Sequence, residues 1–299
     1  MPTITGTTNP ELFPQYYEKK LLQYVKQNLP ALDYGQKFSM PQNSGRVAVF
    51  TRFAPLPITT TPITFQPTPA TGASLSAQQV SVSIEEYGNY IDLDDFTNIT
   101  SFAPLMDVSI DRLAYNAKQS LHAVAMNELT AGTNVIYAGG ASARSGLDGT
   151  KKLTKAEIRQ AATLLKRNDI PPFQDGYYVC FIHPDKVADL FTDQELISLS
   201  MARKEPIAQG YIGELYGVRF IETTAMPIVS NGNNATPADV YQTIIVGANG
   251  YGIVDLDGNT LQTIYSNVDK MGRVKTVGWK AYFAVKRLYE PAIVRIESN

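Results

Sequence analysis

Hydrophobic and polar positions change period several times along this chain, and each change marks a predicted element. From Gln15 to Asn28, Tyr17, Leu21, Tyr24 and Val25 recur at helical spacing, which predicts a short helix that Pro30 stops. Arg46 to Phe53 alternates, with Val47, Val49, Thr51 and Phe53 on one face, and reads as a strand. Val80, Val82 and Ile84 alternate in turn, and then the phase shifts to Ile91 and Leu93. Glu85-Glu86-Tyr87-Gly88 lies at the switch, which predicts a bulge or turn within a long hairpin whose two strands flank residues 53–84. Leu105, Val108, Leu113, Ala117, Leu121, Val124 and Leu129 then form a stripe along a single helix from Pro104 to Leu129. Pro104 suits its first turn and Gly132 lies just past its end. At 1.5 Å per residue this is a rod of roughly 39 Å, long for a globular helix.

The second half mixes short elements. Residues 134–150 form a connection rich in Gly, Ala and Ser, and Thr154-Lys155-Ala156-Glu157 fits a capping box that opens a helix to about Lys166. Tyr177 to Ile182 is a buried strand, His183-Pro184-Asp185-Lys186 starts a helix through Leu190, and a further helix is predicted from Asp193 to Ala202. Val218–Glu222 and Val240–Val246 are strands separated by a turn-rich loop around Asn231-Gly232-Asn233-Asn234. Tyr251–Leu256 and Leu261–Tyr265 are predicted to form a hairpin about Asp257-Gly258. Arg273 to Glu297 is strand-like, broken at Pro291. No internal repeat is evident, and the elements follow no regular βαβα order, so the fold class is α+β.

Charge sharpens this picture most between Phe53 and Ile84, where there is not one charged residue. Pro55, Pro57, Pro62, Pro67 and Pro69 forbid helix there and leave few donors for a sheet interior. The composition admits disorder, but disordered segments are usually charged and poor in large apolar groups. This one displays Leu56, Ile58, Ile63, Phe65 and Leu75, and an exposed apolar loop needs somewhere to dock. Over the whole chain only 18% of residues are charged, against ~25% in ordinary soluble domains. The net charge of -2 gives no broad attraction to polyphosphate, which excludes a dedicated nucleic-acid binder. The single cysteine, Cys180, rules out an intrachain disulfide and reads as a small buried hydrophobe. The N-terminus lacks the basic and apolar regions of a secretory signal, and no run of about 18 apolar residues occurs. These readings predict a soluble chain made in a reducing cytoplasm, with no membrane partner.

Candidate chemistry is sparse. His122 sits inside the long helix without a partner motif, and His183 sits where a strand hands over to a helix, which suits a local capping role. No Gly-x-Ser-x-Gly elbow is present. Gly247-Ala248-Asn249-Gly250-Tyr251-Gly252 has glycine spacing reversed from the dinucleotide fingerprint and precedes a strand, so it is predicted to be a tight hairpin connection. Asp255-Leu256-Asp257-Gly258-Asn259 lacks the glycine and the terminal Glu of a calcium loop. Asp92, Asp94 and Asp95 read as a solvated edge. No catalytic residue, cofactor or metal site is expected, and the chain does not read as an enzyme.

The order of these parts carries a resemblance. It rests on Val47-Ala48-Val49-Phe50-Thr51-Arg52-Phe53-Ala54-Pro55-Leu56-Pro57, Tyr87-Gly88-Asn89-Tyr90-Ile91, Ala131-Gly132-Thr133-Asn134-Val135-Ile136-Tyr137-Ala138-Gly139, Ile182-His183-Pro184-Asp185 and Gly278-Trp279-Lys280-Ala281-Tyr282-Phe283. The chain resembles the major capsid proteins of tailed bacteriophages, with the Hong Kong-phage-type shell fold, and within them the N-four-like podophage branch. The resemblance implies an N-terminal arm at 1–44, an extended hairpin loop at 45–95, a peripheral domain from 96–149 and 269–299 with the spine helix and C-terminal strands, and an axial domain at 150–268. It implies pentamers and hexamers of an icosahedral shell enclosing double-stranded DNA. The virion is then the protein's location, after assembly in the host bacterial cytoplasm. Implied partners are other copies of the chain, a portal, a separate scaffold protein, a decoration protein in some relatives, and packaged DNA in non-specific contact. Leu56, Ile58, Ile63, Phe65 and Leu75 are the expected inter-subunit contacts. An encapsulin-type compartment shell and another phage structural protein are the competing readings.

Overall fold

The computed structural model describes residues 30–60, 72–101, 105–191, 213–233, 237–256, 261–267 and 271–299. The helices predicted at 15–28 and 193–202 lie outside them. In chain order the elements are α1 (Pro30–Asp33), β1 (Gln36–Met40), β2 (Val47–Phe53), β3 (Ala77–Ser83), β4 (Glu85–Asp94), α2 (Asp95–Thr100), α3 (Leu105–Thr130), β5 (Val135–Tyr137) and α4 (Lys155–Arg167). They continue with β6 (Tyr178–Ile182), α5 (Pro184–Phe191), β7 (Glu214–Leu215), β8 (Val218–Glu222), β9 (Ile228–Ser230), β10 (Asp239–Val246), β11 (Tyr251–Leu256), β12 (Gln262–Asn267), β13 (Val274–Arg287) and β14 (Ile293–Ser298). Pro291 breaks the last two strands apart in a short 3₁₀ turn, as its missing N–H requires.

Three sheets result. One has the order β1-β11-β13-β12, with β4 also paired to β13; one has the order β5-β14-β10-β6-β8-β7, with β9 on β10; the third is the β2-β3 hairpin. The spine helix α3 lies in the core shared by the two larger sheets. Its Leu113, Ala117, Leu121, Met126 and Leu129 join Val277, Trp279 and Phe283 of β13 and Val179, Phe181, Ile244 and Val246 of the second sheet. Because α3 is covered from two sides, its buried face is wider than the expected stripe. Ile110, Ala114, Ala125 and Met126 are buried, while Val108 is exposed and Val124 half-buried. Asn116 pins the helix to both strands beside it: its Oδ1 accepts from Trp279 Nε1 at 3.1 Å and from Asn89 Nδ2 at 3.2 Å. On the far face of the second sheet, Ile158, Ala161 and Leu165 of α4 and Val187 and Leu190 of α5 cover Cys180, Ile182, Ile245 and Val294. All five residues of β6 are therefore buried, and burial pushes the Cys180 thiol pKa up, as expected of an inert core cysteine.

The capping box is present. Ala156 N–H donates to Thr154 Oγ1 at 3.3 Å and Thr154 N–H to Glu157 Oε2 at 3.0 Å. The C-terminal strand is tied in by a buried ion cluster. Glu157 has no part in it; Glu297, with no solvent exposure, accepts from Arg144 Nε at 2.8 Å and Gln242 Nε2 at 3.2 Å, and Arg295 Nε lies 2.9 Å away. Burial alone raises a carboxyl pKa, but the bonds and charges of Arg144 and Arg295 outweigh it and hold Glu297 below the usual range.

Several expectations are corrected. Residues 251–256 and 262–267 do not form a hairpin; both run antiparallel to β13 along one edge, Asp255 opposite Phe283 and Gln262 opposite Lys280. The register advances seven residues on one side against three on the other, while both strands keep the same direction against β13. The long, doubly buried β13 offers more partner surface than a two-stranded hairpin. The turn at Gly247–Gly250 is tight, with Asn249 at φ 58°, but it carries the chain from one sheet to the other. The phase shift after Ile84 is likewise a change of sheet, since β3 pairs with β2 and β4 with β13. The connection at 134–150 contains the strand β5, parallel to β14. The first sheet joins β11 and β12 to β13, and the second joins β14 to β10.

Candidate inter-subunit surfaces

The β2-β3 hairpin is a two-faced ribbon. Strand period 2 and the register put Ala48 opposite Val82, Phe50 opposite Val80 and Arg52 opposite Gln78 on one face. That face sits on the first sheet, where Ala48, Val82 and Ile84 are buried with Met40, Val254 and Ala284. The Phe50 ring stands edge-on to Phe38 at 5.6 Å and fits against Gly252, where an added Cβ would lie 2.8 Å from Phe50 Cζ. The Arg52 guanidinium stacks 3.2 Å from the Tyr289 ring centroid. At the foot, Arg46 pairs with Glu85 and donates from Nε to the Ile84 carbonyl at 2.9 Å.

The opposite face carries Val47, Val49, Thr51 and Phe53, and it is exposed. The alternating apolar set that predicts the strand therefore points outward, which sequence reading missed. The signal lay in the partner strand: Val80 and Val82 fall opposite the even positions of β2, so the inward face had to be the even one.

Beyond Phe53 the arms stay joined through Ala54 N–H to the Ser76 carbonyl at 2.9 Å and then leave the ladder. Of the predicted contact residues, Ile58 is 91% exposed, Leu75 65% and Leu56 56%, so the two arms present them on one loop. Ile63 and Phe65 lie outside the described residues. A second exposed apolar group stands on α2, which buries no residue and displays Phe96 and Ile99.

The remaining polar candidates have structural work. Asp94 caps α2 by accepting from Thr97 N at 3.0 Å, Asp95 pairs with Lys275 at 2.8 Å, and Asp92 accepts from Thr276. His183 Nδ1 accepts from Asp185 N–H at 3.2 Å, the local cap its position suggested. His122 is buried, with Nε2 3.4 Å from Thr223 Oγ1. Among the described residues no three His, Cys, Asp or Glu side chains are grouped to hold a metal, and no helix is long and apolar enough to cross a membrane.

An extended hairpin, a spine helix between two sheets, and exposed apolar arms define a shell-forming structural protein. The capsid protein of Ralstonia phage GP4 superposes with TM-score 0.71 at 15% identity, over 89% of this chain and 87% of that one. The head structure of Helicobacter pylori bacteriophage KHP40 gives 0.72 at 15% identity, over 91% and 92%. The SrpI encapsulin of Synechococcus elongatus gives 0.56 at 9% identity, over 91% and 88%, so the fold is shared beyond phages. This is the α+β Hong Kong-phage-type shell fold. Sequence separates the two kinds of shell: the phage capsid protein family matches residues 77–296, and the chain belongs to that family. It is a tailed-phage major capsid protein, a structural subunit of the virion capsid that assembles with its own copies and is not an enzyme. No curated protein matches by sequence.

Proposed function

We propose that the chain builds the pentamers and hexamers of an icosahedral head around double-stranded DNA, in a phage of the N-four-like podophage kind. The observation that carries this reading is the uncharged hairpin loop with Leu56, Ile58 and Leu75 exposed, a surface that a lone subunit leaves in water. Each loop docks on a neighbouring subunit, with Ile63 and Phe65 adding to the contact. Heterologous contacts of this kind close into rings. The absence of charge avoids desolvating ions at the interface. In this reading residues 1–44 are the arm, 45–95 the reaching loop, 96–149 with 269–299 the peripheral domain, and 150–268 the axial domain near the symmetry centres. A portal and a separate scaffold protein are the assembly partners, with a decoration protein as a further one.

Excising 58–76 and closing the gap with a short Gly-Ser turn tests the loop. The core should stay folded, because loop closure changes by only about 1 kcal/mol and β2 and β3 still pair. Assembly should fail: at ~25 cal/mol per Å² of apolar area, the lost side chains are worth several kcal/mol per contact. Circular dichroism, melting and sedimentation read the outcome. Shells of normal size from the shortened chain would refute the docking role.

A further inference from the structure

The surface of α4 is cationic on a chain of net charge -2. Arg159, Lys166 and Arg167 are exposed and Lys155 is half-buried. The acid of this helix, Glu157, is buried and turned inward, accepting from Thr154 N–H and, at 3.1 Å, from Gly139 N–H. Lys155, Arg159 and Lys166 follow at offsets of four and eleven residues, which sets them in one line of about 16 Å down a flank of the helix. Several other cations are spent on acids, Arg46 on Glu85, Lys186 on Asp189, Arg219 on Asp175 and Glu214, Lys275 on Asp95 and Lys286 on Glu128, while Lys37 and Arg112 stand exposed singly on other elements. Arg159, Lys166 and Arg167 make no ion pair among the described residues. Asp169, just past the helix, is an exposed acid beside them.

The helix dipole favours Lys166 and Arg167 in the last turn, but it disfavours Lys155 in the first and is indifferent to Arg159 in the middle. Helix stability therefore does not account for the line. We propose that this flank of α4 meets the phosphate backbone of duplex DNA and so marks the inward side of the shell, an inference that rests on the DNA-enclosing reading above. A line of two or three cations gives weak contact without base reading, as a packaged and later ejected polymer requires.

The test compares the full-length chain with R159E/K166E and with the control K37E/R112E, which reverses two exposed cations on other elements. Binding of a short duplex is followed by fluorescence anisotropy across salt. With about 0.9 counterions released per phosphate contact, R159E/K166E should flatten the salt slope by about 1.8, so that between 50 and 200 mM salt the wild type loses about twelvefold more affinity than the variant. The control should keep the wild-type slope, and both variants the wild-type circular dichroism. No binding by the wild type at 50 mM salt, equal slopes in all three proteins, or equal loss in the control overturns the proposal. Poly-glutamate bound through these residues without competition from DNA also overturns it, in favour of an acidic protein partner. Electron microscopy of the wild-type assemblies is read separately: absence of closed shells defeats the shell reading itself, whatever the slopes.

Discussion

His122 shows how one side chain ties the spine helix to pH. It is buried on α3 with Thr223 as its neighbour, and burial first, then the charge of Lys118, holds its pKa below 6.5. Between 6.5 and that lower value the unfolded chain binds a proton that the folded chain refuses. Stability therefore falls as pH drops through this window, by about 1.4 kcal/mol for each unit of depression. The lowered Glu297 carboxyl acts in the same direction but only below its ordinary 4.5, so the two are separable. His122→Gln should flatten the decline in melting temperature that sets in as pH falls below about 6.5. Parallel declines in variant and wild type would place the acid sensitivity elsewhere.

Among the elements, the β2-β3 hairpin depends on a glycine in another strand. Gly252 of β11 is the floor on which Phe50 rests, with Leu288 Cδ1 also 3.2 Å from an added Cβ. Gly252→Val overpacks that contact and should cost about 1–3 kcal/mol. Phe50→Ala in the same chain should recover part of the loss, because the ring that clashes is gone; a double-mutant cycle by chemical denaturation measures this coupling. Strictly additive losses would show that the hairpin is seated by other contacts, such as Arg52 on Tyr289.

For the molecule as a whole, the exposed hairpin face separates folding from assembly. Phe53 is 58% exposed and outside every buried core cluster, so Phe53→Asp should change unfolding free energy by no more than about 0.5 kcal/mol. In a shell the same charge would be buried without a partner at every copy, which costs far more. Sedimentation should shift from large assemblies to small species while melting stays near wild type. Normal shells from Phe53→Asp would mean that this face remains in water in the assembled head.

The sequence by itself determined what depends on neighbours along the chain. The 3.6-residue stripe and Pro104 predict a helix that is observed at Leu105–Thr130, the box at Thr154 and Glu157 starts α4, Pro291 breaks the last strand, and the uncharged stretch marks the loop. These signals are local because helix periodicity, capping and proline geometry act within a few residues. The α+β class, the buried strand at Cys180 and the order of parts that resembles phage capsid proteins were legible for the same reason. Only the tertiary structure decided which strands pair. Strand pairing is a competition between distant segments, and β13 took both β11 and β12 on one edge where an Asp-Gly turn favoured a hairpin. It also decided which face of β2 looks outward. An alternating pattern fixes two faces but not which of them finds a core, and here Val80 and Val82 across the ladder drew the even face inward and left Val47, Val49 and Phe53 exposed.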